Sequence, residues 1–385
     1  MEGLKILRQL AGPLLMFWLA LVPAHSTGQT TPSAKAMAKA RAAHEQARTK
    51  SKISPNHPGI SPVSFRPDIA DEAGLDAEVA AARRIGSGKS GSKEANERLA
   101  RASVVLIDWV LRAEAVSDIE RARHFTRKFH RDLRDSGRHV ENLSRRGDLM
   151  ARQAMGFLLE RGILLQKDAE KSCVEFIAAA QKLAPAGWHA AQCLMDAAPE
   201  KAWAQMERAA EQGHAAAQEW MGRRFLGQFG AKEDDVVRAR AYLVQSASQG
   251  RPSAQTLLAY ILIAGLGGPV DLARGVRLYT VAAEKGDVNA QNNLGELHET
   301  GRGVTRNIDD AIRWYERAAD QGFAPAQFNA GRLWAIGIGG KNDAAKARAF
   351  LLQAETNGVL QARQVLDWLD RQEVPAPAGS PASKP

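Results

Sequence analysis

The 385-residue sequence predicts an all-α protein, an α-solenoid of antiparallel helix pairs preceded by a helical N-terminal cap. The first observation is a recurring glycine, four residues ahead of an alanine. Gly147, Gly187, Gly213, Gly250, Gly286, Gly322 and Gly358 precede Ala151, Ala191, Ala217, Ala254, Ala290, Ala326 and Ala362. Their spacings of 40, 26, 37, 36, 36 and 36 residues mark units that bury an apolar face only by stacking on a neighbour. The second is composition: alanine is abundant and aromatics make up only 6% of the chain, which suits helices in close approach.

Residues 1–26 read as a cleaved secretory signal. Lys5 and Arg8 form a basic head, Leu10 to Val22 an apolar run, and Ala24 and Ser26 a small-residue cleavage pattern. At 1.5 Å per residue the run spans roughly 20 Å, short of the ~30 Å hydrocarbon core, so a retained anchor is the lesser alternative. The mature chain is therefore expected in the periplasm or secreted. Residues 27–70 hold five prolines, seven Lys/Arg against two Asp/Glu, and few large apolar side chains. They read as a disordered basic arm, because they bury too little surface to offset ordering entropy.

Residues 71–146 read as the cap. A short helix is expected over 71–85, a Gly/Ser loop over 86–92, and a helix from Lys93 to Ala113 that is apolar on a broad face. Val116, Ile119, Ala122, Phe125, Phe129 and Leu133 mark one face of the next helix, opposite Arg121, Arg127, Lys128, Arg131 and Arg134. Stacking on the array accounts for that pattern, and a membrane-surface helix would look the same. The repeats occupy 147–371 as about six units, the second truncated, with a closing helix, and 372–385 form a disordered tail.

The formal charge of +9 lies mostly ahead of the repeats: 148–373 hold 26 Lys/Arg against 27 Asp/Glu. A nucleic-acid binder would carry a continuous basic stripe on its folded surface, so no nucleic-acid partner is expected.

The repeat reads most clearly in Ala290 to Gly322. Helix A places Ala290, Leu294 and Leu297 on one face, Gly301 and Gly303 break it, and helix B turns Ala311, Tyr315, Ala318 and Ala319 inward. Asp168, Asp234, Asp271 and Asp343 match Asn307 ahead of helix B, where a short polar side chain caps free N–H groups. The segment AQNNLGELHETGRGVTRNIDDAIRWYERAADQG resembles the Sel1-like repeat, a relative of TPR units, almost position for position. The chain departs from the pattern at His298, Trp334, Leu262 and Phe225, which replace the usual Tyr. The unit from Ala191 to Gly213 lacks the G-x-G loop, and Pro199 separates a stub of helix A from helix B.

Candidate chemistry is sparse. Gly86 to Ser90 resembles the end of a phosphate-binding loop, but Arg83 stands where its first glycine belongs, so it reads as a linker. Arg146-Gly147-Asp148 spells an adhesion tripeptide, yet Gly147 is a repeat glycine and Lys285-Gly286-Asp287 repeats the arrangement. Cys173 and Cys193 are the only cysteines. Ideal antiparallel packing leaves them roughly 6–13 Å apart along the axis, against a bridge limit of about 7 Å. A disulfide, two buried thiols and a metal site with His189 all stand open. Some Sel1-like relatives bridge cysteines eight residues apart, a spacing this pair does not share. The sequence shows no convergent catalytic set, and no enzyme activity, metal or cofactor is expected.

The resemblance implies a superhelix whose inner curve is lined by helix A and binds proteins. Positions two and six after each repeat alanine form a row expected to face away from the core and to tolerate substitution. It comprises Gln153 and Phe157, Glu219 and Arg223, Thr256 and Tyr260, Asn292 and Glu296, and Phe328 and Arg332. From it, Glu219, Arg223, Tyr260, Asn292, Glu296, Phe328 and Arg332 are the candidate partner-binding residues, with packing between units as the other reading of Phe157 and Phe328. The expected function is an exported adaptor or regulator engaging envelope proteins. A carbohydrate- or peptidoglycan-contacting scaffold and, further off, a β-lactam-acting hydrolase are the alternatives. N-terminal sequencing of the exported protein should find its first residue between 25 and 27, and Met1 on the mature chain would contradict the signal reading.

Overall fold

The computed structural model describes residues 71–373, apart from 87–92, 133–135, 164, 228–232 and 338–342. The leader, the arm, most of the Gly/Ser loop and the tail from 374 lie outside the described residues. The described residues form seventeen α-helices and no strand. They divide into two compact units, one of 71–227 with 241–251, the other of 233–240 with 252–373.

The N-terminal unit opens with α1 (Glu72–Gly86), α2 (Lys93–Ala115), α3 (Ile119–Asp132) and α4 (Gly137–Arg145). Val116 is not helical as expected: the turn 116–118 holds Ser117 at φ 62°, and Asp118 accepts from the Arg121 N–H at 3.1 Å. The apolar face of α3 (Ala122, Phe125, Phe129) is buried, and Lys128 is buried against Glu72 and Asp76. Stacking is therefore the reading that holds for this helix. The helix A/helix B pairs follow: α5 (Leu149–Arg161) with α6 (Ala169–Ala179), then α7 (Ala184–Leu194) with α8 (Pro199–Glu211). Next come α9 (Ala215–Phe225) and the second half of α10 (Glu233–Ser248).

The C-terminal unit repeats the pair three times: α11 (Pro252–Ala264) with α12 (Leu272–Glu284), α13 (Val288–Thr300) with α14 (Ile308–Ala319), and α15 (Ala324–Ile336) with α16 (Ala344–Thr356). The closing helix α17 (Gln361–Glu373) packs on α16 and α15, and it takes in 372 and 373, which the sequence assigns to the tail.

Local chemistry sets the ends of these helices. The Asp287 carboxylate accepts from the Ala290 N–H at 2.9 Å, as Asp148 does from Ala151 at 2.8 Å, so both adhesion-like tripeptides are helix starts. Asp168, Asp271, Asn307 and Asp343 cap helix B as expected. α10 starts at Glu233, so Asp234 lies within the helix. Gly301, at φ 77°, ends α13 in the left-handed conformation that glycine adopts without cost.

One register differs from the sequence reading. Gly187 has no positive φ and sits inside α7, so the glycine ladder skips this unit. Each helix A places its repeat alanine third, which makes Ala186 rather than Ala191 the counterpart here. Loss of the G-x-G loop shortened the connector to 195–198 and left an 11-residue helix A, not a stub.

Within each pair the axes approach over a glycine. A Cβ on Gly295 would lie 2.8 Å from the Tyr315 ring, as one on Gly156 would from Phe176, and one on Gly331 would lie 2.7 Å from Leu351. Gly322, at φ 83°, has open space around it. Gly295→Ala should therefore cost about 1–3 kcal/mol by overpacking, and Gly322→Ala only about 1 kcal/mol from its φ. Denaturant unfolding of the two variants checks this, and a larger loss at Gly322 would contradict it.

Candidate functional site on the helix A row

The structure places the row far deeper than the sequence reading does. Gln153, Phe157, Glu219, Thr256, Phe328 and Arg332 are buried, and Arg223, Tyr260, Asn292 and Glu296 are half-buried. The two units bury it for different reasons.

In the N-terminal unit the row is filled by α2. This helix packs on α4, α5 and α7, and Val104 to Asp108 are buried without a break, which is why its apolar face reads so broad. Gln153 Nε2 donates to Asp108 Oδ1 at 2.9 Å, and Arg161 donates to Glu114 at 3.0 Å. At the far end of α2, Arg251 donates to the Ala115 carbonyl (2.8 Å) and the Ser117 hydroxyl (2.9 Å). The buried Glu219 carboxylate pairs with Arg251 and, at 2.7 Å, with Arg223. Glu219 thus acts on α2 through Arg251, which bonds its C-terminal end. Nothing in the local sequence of helix A announces that a segment 45 residues upstream covers it.

In the C-terminal unit the substantial packings among the described residues join sequence neighbours, plus α15 with α17. Phe328 packs in the core, as the packing alternative has it. Arg332, only 4% exposed, donates to both oxygens of Glu299 at 2.8 Å, and Tyr315 donates its hydroxyl to the same carboxylate at 3.0 Å. Asn329 donates to Asn292 at 3.0 Å. Glu299 and Asn329 belong to the site although the sequence reading omits them, since they lie nine and three residues after their repeat alanines. The signal that could have found Glu299 is its acid opposite Arg332 in the next unit.

The Glu296 carboxyl forms no side-chain hydrogen bond among the described residues, while its backbone carbonyl accepts from the Thr300 hydroxyl at 2.8 Å. Burial pushes its carboxyl up to about 7, the neighbouring Glu299 adds to the shift, and Arg302 and Arg332 oppose it. Half-buried Tyr260 occupies the equivalent position one unit earlier. The arrangement offers a protonatable carboxyl, a phenol and side-chain amides along the row.

Cys173 and Cys193 form a disulfide with Cα atoms 5.9 Å apart. The turn lies at 180–183, so α6 runs six residues past Cys173 and α7 nine residues before Cys193, an axial offset small enough for the bridge. The bridge takes the place held in a later unit by Ile312 and Leu333, which share one apolar cluster. His189 stacks on Phe176 at 4.5 Å, with Nδ1 3.5 Å from Glu160. Among the described residues no three His, Cys, Asp or Glu side chains are grouped to hold a metal. His214, whose imidazole burial pushes well below its usual range, accepts from the Ala217 N–H in the cap position of Asp287. The His298 imidazole, in its aromatic slot, is also lowered by burial.

Residues 196–214, 215–250, 252–287, 288–323 and 324–359 match the family model of the Sel1 repeat, so this stretch of the chain is built of five Sel1 repeats. Four matches begin on the first residue of a helix A, while 196–214 covers α8 alone. Among solved structures, the chain is similar to a protective antigen present in uropathogenic Escherichia coli strains and displaying an SLR fold. That pair has 23% identity and a TM-score of 0.58, over 78% of this chain and 65% of the antigen. This chain therefore spans just under two thirds of the antigen's length. A Sel1 repeat protein from Oxalobacter formigenes is similar at 23% identity and a TM-score of 0.51, over 62% of this chain and 96% of the other. These likenesses establish the fold. A search of curated proteins found no match.

The site also sets a pH response. The folded protein holds the Glu296 proton more tightly than the unfolded chain, whose carboxyl titrates near 4.5. Its contribution to stability is complete below that value and is lost as pH rises through about 7. Glu296→Gln should therefore gain on the order of 1–2 kcal/mol over wild type between pH 5 and pH 8, partial exposure discounted. Denaturant midpoints at both pH values check it, and a pH-independent difference would contradict it. Arg332→Glu, tolerated on the exposed-row expectation, should instead destabilise by about 3–5 kcal/mol by breaking the pair with Glu299.

Proposed function

We propose that this Sel1 repeat protein is an exported adaptor that engages an envelope protein through the helix A row of its C-terminal unit. Sel1 repeat proteins are in general protein-interaction scaffolds. The observation that carries the reading is internal to the chain. In the N-terminal unit the row takes a helical segment, α2, through apolar contact and polar anchors at Gln153, Arg161 and Arg251. The equivalent row of the C-terminal unit carries Tyr260, Asn292, Glu296 and Asn329, amphipathic side chains with unused hydrogen-bonding capacity. A helix presented by a partner would meet the same kind of surface that α2 meets.

Two features support export: the short apolar leader of 10–22, and a disulfide, which persists in oxidising compartments. No described helix is long and apolar enough to cross a membrane. A photocrosslinking residue at Tyr260 or Asn292, in the full chain expressed in its own envelope, should trap a discrete protein adduct. The same residue at Arg313, exposed on helix B, should not. Adducts at Arg313 alone would move the partner surface off the row.

A further inference from the structure

Away from the helix A row, a cavity of about 300 Å³ opens where the start of α2 diverges from α4. Five polar side chains converge on it. Asn96 and Glu97 come from the first turns of α2, and His139, Asn142 and Arg146 share one face of α4 at helical spacing. Among the described residues none of the five side chains forms a hydrogen bond. The Glu97 carboxylate and the Arg146 guanidinium come only to 3.9 Å, and Arg101 lies 3.9 Å from the same carboxylate. Ala100 and Leu143 supply a small apolar floor.

The donor set selects the ligand. An anion drawn to Arg146 would be opposed by Glu97. A metal cation would find one carboxylate and a guanidinium against it. A sugar ring would find only the small imidazole of His139 to stack on. A small molecule that carries both an ammonium and a carboxylate satisfies both charges, and the two amides and the imidazole can take its remaining polar atoms. The volume stands at the lower end of ligand sites, which suits an amino acid or a dipeptide.

We propose that this cavity is a binding site for a small zwitterion of the amino acid or dipeptide class. Its ammonium pairs with Glu97 and its carboxylate with Arg146. The site is separate from the helix A row and does not depend on the partner reading.

Calorimetric titration of the full mature chain with alanyl-alanine tests it. The expected result is a Kd of about 1 mM or tighter. N-acetylation or C-amidation of the dipeptide should each weaken binding about tenfold or more. Glu97→Gln and Arg146→Gln should do the same, and both side chains are open enough to be replaced without unfolding, which thermal melts would verify. Should a variant fail to fold, the blocked dipeptides on the wild-type chain decide alone. Absence of binding at tens of millimolar, equal affinity for the blocked dipeptides, or equally tight binding of glucose would each overturn the proposal.

Discussion

Helix A meets helix B over a glycine, with Gly295 on Tyr315 and Gly156 on Phe176. That contact sets the distance between axes, and the rest of the array follows from it. With the side chain absent on one helix, the partner's ring lies on bare backbone, and the alanines beside it (Ala290, Ala311, Ala318) fill the remaining crossing without pushing the axes apart. A pair built this way has little apolar interior of its own. Its stability comes from the next pair, as Ile312 with Leu333, and the Cys173–Cys193 bridge at the same position, illustrate.

In the C-terminal unit the helix A row is half-buried rather than open because side chains of adjacent A helices meet along it, as Asn329 does with Asn292 and Arg332 with Glu299. Charged groups there are then partly desolvated, and the protein answers in two ways. Glu219 pairs with Arg251 and Arg223, and Glu299 with Arg332 and the Tyr315 hydroxyl. The Glu296 carboxyl, without a hydrogen-bonded partner among the described residues, holds its proton to near neutrality.

The N-terminal unit shows the same surface in use. There α2 brings Asp108 and Glu114 to Gln153 and Arg161, and its last carbonyl to Arg251, while Val104 to Ile107 are buried. The cap is therefore an occupant of the row as well as an end to the stack.

Repeat period, loop glycines and helix caps were legible in the sequence because each is settled within a few residues. Asn307 caps α14 by reaching its own first turn, and Gly322 turns the chain because its φ requires it. The registration of the 184–211 pair was not legible, since Gly187 reproduces the local spacing while serving the interior of a helix. Nor could the sequence tell that Arg332 is buried and Tyr260 only half so, as both stand six residues after a repeat alanine. Periodicity names the face a residue occupies; what covers that face is decided by segments far along the chain. The sequence by itself determined an all-α repeat array and the positions of most of its joints. Tertiary structure alone decided the filling of one row by α2, the titration of Glu296 and the closure of the disulfide, because each depends on distances between helices that no local pattern encodes.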